Sequence, residues 1–363
     1  MPIPTNIRTE PIGSIPRPVA LIDAVRAFAA STLSRAALDA LYAEAVADTV
    51  RCFEATGSPV ISDGEQRKHH DFASYPVHGL PNFAPDGFKL QFLGHYRQWP
   101  RLTSGPFRFA TRADTFLAQA KLLAHVPLKQ AVIAPSALSL LYPAEPIVGY
   151  PRETFLEDVL REHETEVRAC LDAGACAVQI DFTEGRLAMK LDPTGQLLNS
   201  FITLNNMALD RFSESERSRL GIHTCPGGDR DSTHSLDVDY GELLPSLFEL
   251  NARTFYIALA REPDRKRVLE MVRTHRRPEQ HVFVGVIDVL DPRVESAEEV
   301  RDRVLEAADY ISLEYLGTTD DCGFAPFSDD LSTSRDTAFA KIRARVLGTA
   351  LASEALSRRT DRA

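Results

Sequence analysis

Short apolar and β-branched runs alternate with amphipathic stretches along most of the chain, an arrangement typical of βα units wound around a parallel sheet. Eight runs have the length and composition of strands: residues 8–14, 59–64, 131–137, 177–182, 220–225, 254–258, 282–288 and 310–316. Helical spacing of apolar residues is clearest at 152–173, 240–250 and 296–308. Eight such units in 363 residues predict one α/β domain over residues 1–363, folded as a (β/α)8 TIM barrel.

Residues 68–127 interrupt this alternation. They are rich in His, Pro, Phe and Tyr and contain two segments with strand character, 88–98 and 106–111. A segment of this length after the second strand is predicted to be an insertion that covers one face of the barrel, as a lid or as the contact of a homodimer. A helix is predicted from residue 335 to about residue 356, followed by a basic, frayed tail at 357–363.

The composition narrows the class of protein. With 44% hydrophobic and 25% charged residues, the chain has enough apolar side chains for a large core. The net charge of −10 argues against a nucleic-acid-binding surface, and no run approaches the roughly 20 apolar residues of a membrane span. The N-terminus lacks a signal-peptide layout, and five cysteines are a sparse, odd count that opposes a disulfide framework. We therefore expect a cytoplasmic enzyme that contacts neither nucleic acid nor membrane.

Polar residues that can carry chemistry follow the predicted strands at their C-terminal ends. In barrels of this class the active site is built at that end of the strands. The residues are Gly13 and Ser14 after the first strand, Glu65 after the second, Asp181 after the fourth, His223 and Cys225 at the end of the fifth, Asp288 at the end of the seventh and Cys322 after the eighth. Their convergence predicts an active site at one rim of the barrel.

His223 and Cys225 form a His-x-Cys step at the end of a strand, where alternation places residues i and i+2 on one face. Cys322 can reach the same point from another strand of the barrel. An imidazole and two thiolates suit zinc, and three protein ligands leave one coordination position open for a substrate. The alternative is that these cysteines are buried core residues, since free cysteine commonly packs as a small hydrophobe.

Six short motifs occur in an order that resembles a known family. They are residues 12–17 (IGSIPR), 63–67 (DGEQR), 179–181 (QID), 223–225 (HTC), 285–288 (GVID) and 321–323 (DCG). In this set and order the chain resembles the catalytic, C-terminal half of cobalamin-independent methionine synthase and its short relatives. The resemblance implies a (β/α)8 barrel whose zinc activates a thiol substrate for alkylation.

The resemblance also implies roles for individual residues. It assigns His223, Cys225 and Cys322 to zinc, and it places Ser14, beside Gly13, with Glu65 and Asp181 around the amino-acid part of homocysteine. A hydroxyl and backbone N–H groups suit a carboxylate, and carboxylates suit an ammonium group. The alternatives are purely structural roles: a turn position for Ser14, a helix cap for Asp181, and an ion pair of Glu65 with Arg67 or Lys68.

Several positions depart from the family pattern. Ala258 stands where the synthase has a glutamate as fourth zinc ligand, and Glu262 and Glu314 are the nearest replacements in sequence. Leu290 replaces a histidine linked to protonation of the folate leaving group, and Tyr142 is the nearest candidate for the aromatic that stacks on folate. These departures weaken the case for methyl-folate as the donor more than the case for thiol activation.

The sequence therefore predicts a zinc-dependent thiol S-alkyltransferase, most simply one that transfers a methyl group to homocysteine or a related thiol. Its partners would be a small-molecule thiol and an alkyl donor. Asp288 and Glu184 are the predicted acids for the leaving group, with His69, His70 and His234 as further candidates. The alternatives are epoxide opening by a thiol of the coenzyme M type, a metal-free decarboxylase resembling the uroporphyrinogen enzyme, and a non-catalytic zinc-binding role.

Overall fold

The structure, a computed structural model, describes residues 6–68, 71–92, 95–227 and 233–360. Its strands are β1 (Arg8–Thr9), β2 (Phe83–Ala84), β3 (Lys89–Gln91), β4 (Tyr96–Gln98), β5 (Arg101–Leu102), β6 (Lys129–Ile133), β7 (Ala177–Asp181), β8 (Leu220–Thr224), β9 (Thr254–Ile257), β10 (His281–Ile287) and β11 (Leu316–Asp320). Its α-helices are α1 (Val19–Ala29), α2 (Arg35–Ala55), α3 (Asp114–Lys121), α4 (Pro135–Leu138), α5 (Arg152–Asp172), α6 (Glu184–Leu191), α7 (Gln196–Leu209), α8 (Glu214–Arg217), α9 (Tyr240–Leu247), α10 (Arg265–His275), α11 (Ala297–Ala308) and α12 (Arg335–Thr360). Tyr75–Val77 and Ser139–Leu141 form 3₁₀ turns.

A curled parallel sheet forms the centre of the molecule, with strand order β1-β11-β10-β9-β8-β7-β6. The segment around Ile61 joins its two ends. Ile61 bridges to Leu128, and Lys129 N donates to Ile61 O at 2.8 Å, while Ile15 N donates to Gly64 O at 3.1 Å on the other side. The helices between these strands cover the outside, and the predicted α/β, TIM-barrel-like fold is confirmed.

Four predicted strands, at 177–182, 220–225, 254–258 and 282–288, coincide with β7 to β10 to within one residue at either end. The first is paired only at Arg8–Thr9, and the second is reduced to the single bridge of Ile61. The third predicted strand corresponds to β6, which begins two residues earlier, at Lys129. It also ends earlier, at Ile133, because helix α4 begins at Pro135. The predicted helices at 152–173, 240–250 and 296–308 correspond to α5, α9 and α11.

The prediction of the eighth strand at 310–316 was wrong, because β11 lies at Leu316–Asp320. Its sequence, Leu-Gly-Thr-Thr-Asp, is mostly polar yet entirely buried. Helix α12 compensates this polarity: Thr318 Oγ1 lies 2.8 Å from Thr349 Oγ1, and Asp320 lies 3.3 Å from the guanidinium of Arg345. The apolar run before it forms the turn after α11 instead.

The insertion contains two small antiparallel ribbons, β2 with β5 and β3 with β4, followed by α3. The ribbon β3–β4 matches the strand character predicted at 88–98, but the strand predicted at 106–111 was wrong. Backbone amides in that segment bind side chains instead: Phe107 N donates to Tyr150 Oη at 2.9 Å, and Phe109 N donates to Glu162 at 3.2 Å. The segment is thereby held against α5 without a strand partner.

The C-terminal helix predicted to end near residue 356 extends to Thr360, four residues into the segment predicted to fray. Residues 361–363 lie outside the described residues. Within the described part of the chain, no helix combines the length and the apolar composition needed to cross a bilayer.

Candidate active site

The structure brings His223, Cys225 and Cys322 together. His223 lies on β8 and Cys225 directly follows that strand, whereas Cys322 follows β11 by two residues. Their ligand atoms all lie within 4.8 Å of one another, and the two Sγ atoms are 2.6 Å apart. His223 is 1% exposed, Cys225 is fully buried and Cys322 is 5% exposed. Among the described residues, this is the one group of three such side chains placed closely enough to share an ion.

The donor set fits zinc. Both ring nitrogens of His223 are buried without a hydrogen-bond partner, which is uncommon for a buried polar group. One imidazole nitrogen and two sulfur atoms are ligands that zinc prefers, and three protein ligands are the usual number in a catalytic zinc site. His223, Cys225 and Cys322 are therefore the residues that could hold the ion.

The three side chains also influence one another electrostatically. Burial opposes ionisation of Cys225, yet hydrogen bonding by Cys322 and the positive charge of His223 outweigh it and hold the pKa of Cys225 well below its usual value. Burial lowers the pKa of His223, but the adjacent Cys225 thiolate reverses the effect and raises it. Burial and the same thiolate raise the pKa of Cys322. The Cys225 thiolate is thus stabilised by its two neighbours, and a thiolate is the form of cysteine that binds a metal ion.

Neither Glu262 nor Glu314, the two replacements suggested by the sequence for the family's fourth ligand, belongs to this group. Glu262 binds Arg186, with Nη1 to Oε1 at 2.6 Å, and Glu314 is exposed just before β11. The nearest carboxylate in sequence, Asp321, instead accepts hydrogen bonds from the backbone amides of residues 259, 260 and 261 at 2.8 to 2.9 Å. Among the described residues, the candidate metal group therefore consists of three side chains.

A cavity opens over this group, and it is lined by Ser14, Glu65, Asp181 and Glu184 together with His223, Cys225 and Cys322. Asp181 is the cross-strand partner of His223 in the β7–β8 ladder. Gly13 does not line the cavity, but its carbonyl accepts a 2.7 Å hydrogen bond from Ser62 and its φ of +142° is one that favours glycine. Ser14 Oγ accepts from Ala325 N at 3.3 Å.

Glu65 is held by its neighbours in a specific conformation. Its backbone has φ of +57°, which is uncommon for a residue with a side chain, and its amide donates to Asp63 Oδ1 at 2.9 Å. Its carboxylate pairs with Lys68 at 3.1 Å and not with Arg67. Arg17 is buried and donates to the carbonyl oxygens of Glu65, Gln66 and Lys68, which fixes the loop. Pairing with Lys68 was one of the alternatives that the sequence offered for Glu65, whereas the role of Arg17 was not predicted, although Arg17 stands in a quoted motif.

Asp181 does not act as a helix cap. Its Oδ1 accepts a 2.7 Å hydrogen bond from Gln179 Nε2. Burial raises its pKa to about 6, against the opposing charge of His223. The carboxyl group is influenced by the charges of both His223 and Glu65, and an ammonium group in the cavity would stabilise its ionised form.

The predicted acids differ in their positions. Asp288 does not line the cavity, because its carboxylate accepts from Leu290 N at 2.9 Å and pairs with Arg261 at 3.0 Å. Glu184 lines the cavity, and burial raises its pKa to about 8 against a hydrogen bond from Ser136. His234 also lines the cavity, and burial lowers its pKa to about 4. His69 and His70 lie outside the described residues.

The upper wall of the cavity is apolar. The insertion supplies most of it, with further side chains from α6 and from the segment after Cys322: Phe72, Phe88, Leu90, Phe92, Trp99, Leu187, Pro326 and Phe327. Phe92 packs edge-on against Phe327, with ring centroids 5.8 Å apart. The high aromatic content of 68–127 was the sequence signal for this wall, but its partners could not be read from the chain.

Tyr142 is not available to stack on a ligand in the cavity. It is 7% exposed, its hydroxyl donates to Tyr150 O at 2.7 Å, and its ring packs on Phe155 with centroids 5.1 Å apart. The nearest sequence candidate for a folate-stacking aromatic is therefore a core residue.

The chain is similar to known proteins of one family. The model of the cobalamin-independent synthase catalytic domain matches residues 7–335. A methionine synthase of Sulfurisphaera tokodaii is 24% identical over 356 residues, covering 98% of this chain and 94% of that protein. The uncharacterized protein YxjH of Bacillus subtilis is 23% identical over 354 residues, covering 93% and 92%.

A solved structure shares the fold. The B12-independent methionine synthase from Shewanella sp. W3-18-1, in complex with selenomethionine, superposes with a TM-score of 0.75 at 18% identity, over 97% of this chain and 99% of that one. The family model covers most of the chain and contains all three candidate metal ligands. This chain belongs to the cobalamin-independent methionine synthase family, by its catalytic domain, and is a transferase.

Proposed function

We propose that this protein is a zinc-dependent thiol S-alkyltransferase that transfers a methyl group to homocysteine or a related thiol. The observation that carries the proposal is the buried group of His223, Cys225 and Cys322 at the floor of a cavity lined by carboxyl groups. Relatives named methionine synthase, of nearly the same length, support the choice of reaction. A cytoplasmic location is part of the proposal, since all five cysteines are free.

When bound, zinc would hold the substrate sulfur as a thiolate, which is the nucleophilic form of a thiol. The protein's own residues then orient the rest of the acceptor. Ser14 and the backbone beside it suit a carboxylate, and the ionised forms of Glu65 and Asp181 suit an ammonium group. Arg17 and Lys68 keep Glu65 in place.

Glu184 is the acid in this mechanism. As the new sulfur–carbon bond forms, the bond from that carbon to the leaving nitrogen or oxygen breaks, and the leaving atom takes the proton of the Glu184 carboxyl. A pKa near 8 keeps this group protonated at neutral pH. The apolar wall of Phe92, Leu187 and Phe327 excludes water from the reacting atoms.

Epoxide opening by a thiol is the second candidate reaction. It is favoured by the apolar wall, and by the packing of Tyr142 in the core, which leaves no stacking partner for folate at that position. In that reaction sulfur attacks a ring carbon, the carbon–oxygen bond breaks, and the alkoxide takes the Glu184 proton. The same residues serve both reactions, and only the donor differs.

The test is zinc content per chain, followed by X-ray absorption at the zinc edge before and after addition of homocysteine. We expect about one zinc per chain and a new sulfur neighbour at about 2.3 Å once homocysteine is present. Zinc that gains no sulfur from homocysteine but gains one from a thiol without an amino group would move the acceptor to that class. A protein that binds no zinc would overturn the proposal.

A further inference from the structure

Ser136 stands at the rim of the barrel and is part of a buried chain of hydrogen bonds that reaches Glu184. It lies in α4, just after β6, and is fully buried. Its backbone N–H donates to Asn205 Oδ1 at 3.1 Å, and Asn205 Nδ2 donates to Ser136 Oγ at 2.8 Å. Asn205 is 2% exposed and comes from α7, so two separate helices determine where the serine hydroxyl sits.

These bonds decide where the hydroxyl hydrogen of Ser136 goes. Two acceptors lie within reach of Oγ: Asn205 Oδ1, at 3.0 Å, which already accepts the Ser136 backbone N–H, and Glu184 Oε1, which is closer. Because the Asn205 amide presents an N–H to Oγ, the hydroxyl directs its own hydrogen to the closer acceptor, Glu184 Oε1. Oε1 is thereby occupied as an acceptor. The second carboxyl oxygen, Oε2, is buried, has no hydrogen-bond partner and belongs to a residue that lines the cavity.

We infer that Ser136, oriented by Asn205, is a positioning residue that fixes the transferable proton of Glu184 on Oε2. A neutral carboxyl carries its proton on one oxygen only, and the oxygen that accepts the serine hydrogen bond is the carbonyl oxygen of that form. The proton then resides on the oxygen free of protein partners, where a leaving group in the cavity can take it. The inference rests on the proposed function, in which Glu184 is the acid.

The charges around Glu184 favour the neutral form. Burial is the largest influence, and it outweighs the opposing hydrogen bond of Ser136 and the backbone amides of residues 184 and 137. The carboxylate of Asp181 acts in the same direction as burial. Of the other titratable groups that line the cavity, His234 has its pKa lowered to about 4 by burial, and Glu65 is already paired with Lys68. No arginine or lysine side chain among the described residues lines the cavity to stabilise an ionised Glu184.

Infrared difference spectroscopy of the purified full chain between pH 6 and pH 10 tests this inference without any substrate. A protonated Glu184 gives a carbonyl stretching band that Glu184→Gln abolishes, which separates it from other buried carboxyl groups such as Glu166. In Ser136→Ala this band should move to higher frequency, because its carbonyl oxygen loses a hydrogen bond. Ser139→Ala is the matched control: Ser139 is equally buried, and its hydroxyl donates to the Ser136 carbonyl and not to Glu184.

In the transfer reaction, Ser136→Ala should lower kcat about tenfold, a part of what general acid catalysis contributes, with KM nearly unchanged. The alkaline limb of the pH–rate profile of this variant should move to higher pH, because the Ser136 hydrogen bond that favours the ionised form of Glu184 is gone. Asn205→Ala provides a second test, with a shift of the band in the same direction. The inference would be overturned if neither Ser136→Ala nor Asn205→Ala shifted the band. It would also be overturned if Glu184→Gln removed no band. The infrared band is measured without substrate, so the result of this test does not depend on whether the proposed transfer reaction occurs.

Discussion

Gly323 lies directly against Ser14: a Cβ atom on residue 323 would stand 2.0 Å from Ser14 Oγ. The backbone reinforces this contact, because Phe324 N donates to Ser14 O at 3.0 Å. The segment that carries Cys322 is therefore docked on the segment that carries Ser14. A side chain at position 323 would therefore displace either the segment that carries Cys322, a candidate metal ligand, or the hydroxyl of Ser14.

Gly323→Ala should accordingly impair the site and the fold together. Overpacking of this kind costs typically about 1–3 kcal/mol of unfolding free energy, and we expect a similar loss here. A double-mutant cycle with Ser14→Ala isolates the contact, because removal of Oγ relieves the clash. Unfolding by denaturant should show that Gly323→Ala costs less in the Ser14→Ala background; equal costs in both backgrounds would contradict the close contact.

Cys322→Ser should weaken zinc binding while the barrel stays folded. The variant retains two of three ligands, so we expect zinc content to fall several-fold and thiol alkylation to become undetectable. Circular dichroism checks the fold and metal analysis checks the zinc. Cys52→Ser is the matched control, since Cys52 lies on α2 outside the metal group. A Cys322→Ser variant that keeps full activity would remove this cysteine from the mechanism.

Glu65→Gln should discriminate between thiols with and without an amino group. Loss of a charge-assisted hydrogen bond costs about 1.5–3 kcal/mol, which predicts roughly a 10- to 100-fold lower kcat/KM for homocysteine. A thiol of the same length without the amino group should lose little. An equal fall for both thiols would show instead that Glu65 serves only to pair with Lys68, which would be left as an unpaired buried ammonium.

Ionisation of the Glu184 carboxyl group should be visible in the pH dependence of both the reaction rate and the free energy of unfolding. Its pKa is raised from 4.5 to about 8, so the native state binds its proton more tightly than the unfolded state does. This contribution to the free energy of unfolding is fully present below about pH 4.5 and is lost as pH rises through 8. The rate should fall about tenfold per pH unit above 8 for the same reason.

Glu184→Gln provides the comparison for this prediction. The variant should lose the alkaline limb of the rate profile, lower the rate by about 10²–10⁴, and lose stability less steeply than the wild type between pH 5 and 9. Glu166→Gln is a suitable control, since burial raises the Glu166 pKa to about 7 at a position between Tyr75 and α3, away from the cavity. A profile that Glu184→Gln leaves unchanged would assign the acid to another group.

Alternation of apolar and polar stretches was enough to predict the barrel, because β7 to β10 are short, buried and separated by amphipathic helices. It failed at β11, where the buried side chains are polar and are compensated by Arg345 and Thr349 of a helix that follows in the chain. Local patterns cannot reveal such compensation, since it depends on contacts made only after folding.

The same limit applies to the site. His223, Cys225 and Cys322 could be identified from residue type and from position at strand ends. Ser136 and Asn205 could not, because a serine and an asparagine on separate helices acquire a role only through burial beside Glu184. Asp288 met the positional criterion, yet its carboxylate is engaged by Arg261 and the backbone of Leu290. Position at the rim therefore selects candidates, and the hydrogen bonds decide among them.

The candidate metal ligands lie on or just after strands that are three places apart in the sheet, β8 and β11, and the two cysteines are 97 positions apart in the chain. An ion held there would fasten two sectors of the barrel mouth to each other. Since the candidate ligands are 5% exposed or less and come from both sectors, such an ion should dissociate faster when those sectors separate. Release to a chelator would then be slow in the native protein and would accelerate with mild denaturant, so that the exchange half-life would report how often the mouth of the barrel opens.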